Sequence, residues 1–142
     1  MHSGNSPLDI IVLDSSVLYA IILEETGYKQ YLGILDRAKK VLIGAPTLAE
    51  AGLVVQSRQG PPGLARLLQL LERWNVRVDD FTKIHALEAI DAYHTFGKGR
   101  HPAGLNMGDC NSYATAKVAG AALLYKGNDF AKTDLPKLTP PA

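Results

Sequence analysis

The sequence holds a single cysteine, Cys110, and one tryptophan, Trp74. One thiol cannot close an internal disulfide, and a thiolate zinc cluster within one chain is excluded, so a reducing, cytoplasmic setting is expected. No apolar run reaches the roughly 18 residues of a membrane-spanning helix, and no membrane association is expected. The head "MHSGNSPLD" lacks the basic region of a signal peptide, so residues 1–8 read as a disordered N-terminal extension. The net charge of +1 excludes a general electrostatic pull toward nucleic acid, leaving only a local basic patch to bind it.

What is present fits one domain of 142 residues, with 46% hydrophobic and 20% charged residues, enough to bury a core. "DIIVLD" is a short β-branched run of the kind buried on both faces of a sheet, and "SSVLYAIILEE" after it changes to helical spacing. "GYKQYLGILDRAKK" predicts a second helix, with Tyr28, Tyr31, Leu32 and Leu35 on one face. "VLIGAP" predicts a strand, and Pro46 suits the first turn of the helix that follows, which Gly60 should stop before "PPG". "LARLLQLLERWN" is amphipathic, "VRVDDF" alternates like a strand, and a helix is expected over residues 82–96. A loop at "GKGRHPAGLN", the small-residue helix "MGDCNSYATAKVAG" and a strand at "AALLYKGNDF" complete the pattern. Alternating strands and helices imply an α/β domain with a mainly parallel sheet, whose ligands bind outside the carboxyl ends of the strands.

Four acids fall at that edge. Asp14 ends the first strand, Asp129 follows the last, and Glu50 and Asp109 lie near helix starts. Singly, an acid in a first helical turn complements the helix dipole, and Asp129 could be a turn residue. Asp14 is different, because a carboxylate flanked by apolar segments costs desolvation energy unless it is paired. Two carboxylates about 4 Å apart repel by roughly 4 kcal/mol at an effective dielectric of about 20, and a divalent ion reverses that sign. Oxygen ligands select Mg²⁺ or Mn²⁺ over zinc, and carboxylate-bound ions of this kind serve phosphodiester hydrolysis.

From about Asp9 to Leu138 the chain resembles the PIN-domain ribonucleases, specifically the VapC toxins of VapBC toxin–antitoxin pairs. The resemblance rests on "VLDSSVL", "TLAEAGLVV" and "GKGRHPAGLNMGDCNSYATAKVAGAALLYKGNDFAKTDL". It implies a three-layer α/β/α sandwich over residues 9–138, with 139–142 as a tail. It also implies Asp14, Glu50 and Asp109 as metal-binding catalytic acids, with Ser16 in support. Asp129 is taken as the fourth acid, with Asn128 as the competing occupant. The implied partners are an RNA substrate (tRNA, rRNA or mRNA), a VapB-type antitoxin that blocks the acidic groove, and a second copy of the chain in a homodimer.

Lys98, Arg100 and His101 lie close in sequence to Asp109 and are candidates to hold RNA phosphates, a solvated loop being the alternative. Cys110 lacks an identifiable His partner and reads as packing rather than a nucleophile. A phosphatase of the haloacid-dehalogenase type also begins with a strand ending in Asp, but needs a second Asp where this chain has Ser16. A non-catalytic module whose acidic pocket holds a metal or a partner's arginine is the other alternative.

Overall fold

Consecutive residues of the central strands are buried on opposite faces, so the sheet must be covered on both. In the computed structural model, which describes residues 9–138, β1 (Ile10–Leu13) sends Ile11 and Leu13 to one core and Val12 to the other. In β2 (Lys40–Gly44), Val41 and Ile43 join the first core and Leu42 the second. The expected extension at 1–8 and tail at 139–142 lie outside the described residues.

The first core is closed by α1 (Ser15–Ile22), α2 (Tyr28–Arg37) and α3 (Ala45–Arg73), through Val17, Leu18, Tyr31, Leu35, Val55 and Leu67. The second is closed by α4 (Lys83–Phe96) and α5 (Met107–Ala119), through Ala92, Cys110, Tyr113 and Ala116. Each fully buried Leu, Ile or Val contributes about 1.5–3 kcal/mol, and both layers are rich in them. This is the α/β/α arrangement expected.

Every strand pairing is parallel, in the order β3-β2-β1-β4-β5, with β3 at Arg77–Asp79, β4 at Ala122–Leu124 and β5 at Lys137–Leu138. The two-residue β5 was not anticipated from the sequence, being too short to show a pattern. The stop read at Gly60 is present: it breaks α3 into two helices joined across a kink. Gly60 takes φ 70° and ψ −169°, a conformation open to glycine, and the chain resumes helix at Pro61 and Pro62. The loop after α4 folds back on itself through a bridge between Gly97 and Leu105.

β1 and β4 are neighbours in this sheet, and the Asp14 amide donates to Leu124 O at 3.0 Å. The chain therefore turns from strand to helix with Asp14 at the carboxyl edge. α3 leaves the end of β2 directly, with a proline in its first turn.

Candidate active site

Asp14 is the N-cap of α1 and is only 4% exposed. Its Oδ2 accepts from the Ser16 amide at 3.1 Å and from Ser16 Oγ at 2.5 Å, and its Oδ1 accepts from Ser112 Oγ at 2.6 Å. Three donors compensate the burial of this carboxylate. Ser16 Oγ in turn accepts from the Lys126 amide at 2.9 Å, which ties the start of α1 to the turn after β4.

Asp109 occupies the third position of α5 in a reciprocal cap. Its amide donates to Asn106 Oδ1 at 2.8 Å, and its Oδ2 accepts from the Asn106 amide at 3.1 Å. Burial raises its pKa, the Asn106 amide opposes that, and the charges of Asp14 and Asp129 raise it further. Glu50, in the second turn of α3, is raised first by burial and then by Asp14 and Asp109, with Ser15 pulling the other way. An added Cβ at Gly108 would stand 2.7 Å from Glu50 Oε1, so Glu50 lies against the first turn of α5. Asp14, Glu50, Asp109 and Asp129 are thus within electrostatic reach of one another in a chain of pairs.

Asn128 and Asp129 are both exposed, and Asp129 leads into a 3-10 turn at Phe130–Lys132. Of these two residues, Asp129 is the one whose charge Asp109 senses. Among the described residues no three His, Cys, Asp or Glu side chains are drawn to the spacing that holds a metal ion. The donor set nevertheless fits a hard cation: the converging side chains offer carboxylate oxygens, and their mutual repulsion is what a divalent ion relieves.

The basic loop is built differently from its sequence spacing. His101 Nδ1 accepts from the Ala103 amide at 3.0 Å, and the ring meets Phe96 edge-on at 5.1 Å between centroids. The Arg100 guanidinium lies 6.0 Å from the Tyr93 ring centroid. Lys98 is exposed and lines a groove of 630 Å³ with Phe81, Ile90, Tyr93 and Met107. No ion pair among the described residues joins these three to the acids.

Cys110 is buried in that layer, and its thiol is pushed up to about 11 by burial and by Asp109, which suits packing rather than nucleophilic chemistry. Tyr31 is a core residue, and Trp74 Nε1 donates to Asp36 at 2.8 Å. The sequence reading missed Ser112 and Asn106. For Ser112 a signal existed, since three residues after Asp109 is the neighbouring position on the same helical face.

These features define a parallel α/β domain with an acid-lined carboxyl edge. A sequence profile described as "PIN domain" matches residues 11–135. Ribonuclease VapC30 of Mycobacterium tuberculosis is 39% identical over 128 residues, covering 88% of this chain and 95% of that protein. Among solved structures, that of Mycobacterium tuberculosis VapC20, described as a sarcin-ricin loop cleaving toxin, superposes with TM-score 0.73 at 16% identity, covering 92% of this chain and 99% of its own. A chain of the VapBC2 complex of Rickettsia felis, bound to a DNA fragment from its promoter, gives TM-score 0.74 at 18% identity, covering 93% and 99%. The chain belongs to the PIN-domain family and, within it, to the VapC ribonucleases. No helix of the described residues is long and apolar enough to cross a membrane.

Proposed function

We propose that this chain is a metal-dependent endoribonuclease, the toxin of a VapBC-type pair, and that it hydrolyses RNA phosphodiester bonds at the acidic edge. The observation that carries this reading is the gathering of acids at one edge: Asp14 at the end of β1 is held by Ser112 of α5, Glu50 of α3 rests against Gly108 beside Asp109, and Asp129 acts on Asp109 from the turn after β4. Asp14, Glu50 and Asp109 would hold Mg²⁺ or Mn²⁺, with Asp129 assisting. The bound ion would supply activation of water and neutralisation of charge developing on the phosphoryl group.

The protein's own contribution is orientation. Ser16 and Ser112 fix Asp14 from both sides, and the Asn106 cap fixes Asp109. Proton acceptance from water falls to one of these carboxylates. Ser16, at the position where a phosphatase of the haloacid-dehalogenase type needs an aspartate, donates to Asp14 here and offers no general acid. Lys98 is the basic loop residue freest to reach RNA phosphates, because Arg100 lies against Tyr93 of α4 and His101 accepts from the Ala103 amide.

Two partners accompany the reading. A VapB-type antitoxin would occlude the acidic groove, which is supported by the fold shared with the Rickettsia felis toxin–antitoxin complex. A second copy would cover α4, where Ile84, Leu87, Ile90 and Tyr93 recur every three residues and are 65%, 51%, 63% and 42% exposed. Apolar side chains exposed along one helix support docking of a partner there.

The test is incubation of total cellular RNA with the purified chain in Mg²⁺, Mn²⁺ or EDTA, beside Asp14→Ala. Discrete fragments that require metal and vanish in the variant support the enzyme. A variant that cleaves as well as wild type overturns it, and metal binding without cleavage favours the non-catalytic acidic module.

A further inference from the structure

Lys126 is the first exposed residue after β4, whose parallel pairing with β1 sets Leu124 opposite Leu13. The chain therefore leaves both strands at the same edge, and there the Lys126 amide donates to Ser16 Oγ at 2.9 Å. That hydroxyl donates in turn to Asp14 Oδ2 at 2.5 Å. The Lys126 backbone is thus two hydrogen bonds from the Asp14 carboxylate, and its side chain starts from that point.

The ammonium has an exposed partner. Nζ lies 2.7 Å from Glu25 Oε1, in the turn between α1 and α2, and the two side chains are 38% and 36% exposed. A pair this open to water contributes little net stability, so a phosphate within reach can take the place of Glu25. Lysine suits such an exchange, because its stem is flexible and its ammonium binds phosphate as a compact point charge. An RNA strand laid on an edge that carries Asp14, Glu50 and Asp109 has phosphates beyond the one facing the acids, and those call for cations of the protein's own.

We propose that Lys126 is a substrate contact, its ammonium leaving Glu25 to hold an RNA phosphate next to the one at the acids. The inference rests on the reading of this edge as an RNA-cleaving site. Glu25 is then an internal anion that occupies Lys126 until RNA arrives and competes with the strand for it. The two residues therefore act on RNA affinity in opposite directions, which a purely structural ion pair does not.

The test is fluorescence anisotropy of a labelled short single-stranded RNA of mixed sequence, titrated with the full chain in Mg²⁺ over a range of KCl. Every protein carries Asp109→Asn so that the strand is not cut. Adding Lys126→Met should weaken binding roughly fivefold or more at low salt and lower the slope of log affinity against log salt by about 0.7, the loss of one phosphate contact. Adding Glu25→Gln should tighten binding by about twofold to fivefold. Lys39→Met removes the same charge ahead of the amino end of β2, where the side chain is 79% exposed, and should leave the slope as it was. Lys126→Met keeps the amide that donates to Ser16, so Mn²⁺ affinity, read by calorimetry with Asp109 intact, should not fall. An unchanged slope in Lys126→Met, an equal loss in Lys39→Met, weaker binding in Glu25→Gln or a fall in Mn²⁺ affinity overturns the contact and leaves the nuclease reading standing. Absence of RNA binding at low salt overturns the contact too. A wild-type chain that cuts no RNA in Mg²⁺ overturns the nuclease reading, and the salt slopes still decide the contact.

Discussion

Ser112 Oγ donates a 2.6 Å hydrogen bond to Asp14 Oδ1 across 98 residues of sequence, joining the second turn of α5 to the end of β1. Ser112 also lies 3.3 Å from Thr47 Oγ1, so one buried hydroxyl connects α5, β1 and the first turn of α3. Ser112→Ala removes a hydrogen bond to a buried carboxylate and should cost about 1–3 kcal/mol in urea unfolding. RNA cleavage should fall with it, because Asp14 loses the donor on one of its two oxygens.

Gly108→Ala should dissociate stability from activity. Alanine in a helix is favoured over glycine by about 0.8–1.0 kcal/mol, so the fold should be no weaker. The added methyl would meet Glu50 Oε1 at 2.7 Å, and the flexible Glu50 side chain gives way. Mn²⁺ affinity by calorimetry should drop roughly tenfold while the melting temperature holds.

The acids should also make metal-free stability depend on pH in a definite direction. Burial, and then neighbouring charge, hold Glu50 and Asp109 above their ordinary values of 4.5 and 3.8. The folded state then keeps a proton that the unfolded chain has released, so their contribution is intact below the ordinary values and is lost as pH rises to the raised ones. Asp109→Asn should therefore melt above wild type at neutral pH without metal, and the gap should close in acid. Saturating Mg²⁺ should reverse the order at neutral pH, since only wild type is stabilised by the ion.

On α4, Ile90 is 63% exposed in the middle of an apolar stripe. Ile90→Glu should change monomer stability by no more than about 0.5 kcal/mol, as exposed substitutions commonly do. Sedimentation should show a dimer for wild type and a monomer for the variant. A wild-type chain that sediments as a monomer contradicts the proposed self-association.

Much of this was legible in the sequence because it is local. Doubly apolar runs gave β1, β2 and β4, and Pro46 marked the start of α3. Asp14 stood out as a lone carboxylate between apolar segments. What was not legible is tertiary. Ser112 shares a helical face with Asp109, which spacing shows, but its hydrogen bond to Asp14 crosses to another element, which spacing does not. His101 shows what spacing leaves out: its nearness to Asp109 in sequence suggested a phosphate contact, and the structure adds that its ring is oriented by the Ala103 amide and by Phe96. Gly60 was legible as a break, because a glycine ahead of two prolines ends one helix and lets the prolines begin the next.

The most direct test of the central claim, that these carboxylates form one divalent-cation site, is an anomalous difference map from crystals of the chain grown with Mn²⁺. The account calls for a peak about 2.0–2.2 Å from oxygens of Asp14, Glu50 and Asp109, with Asp129 near enough to assist directly or through water. A map with no peak among these residues at millimolar Mn²⁺, or with Mn²⁺ held elsewhere on the chain, would contradict it.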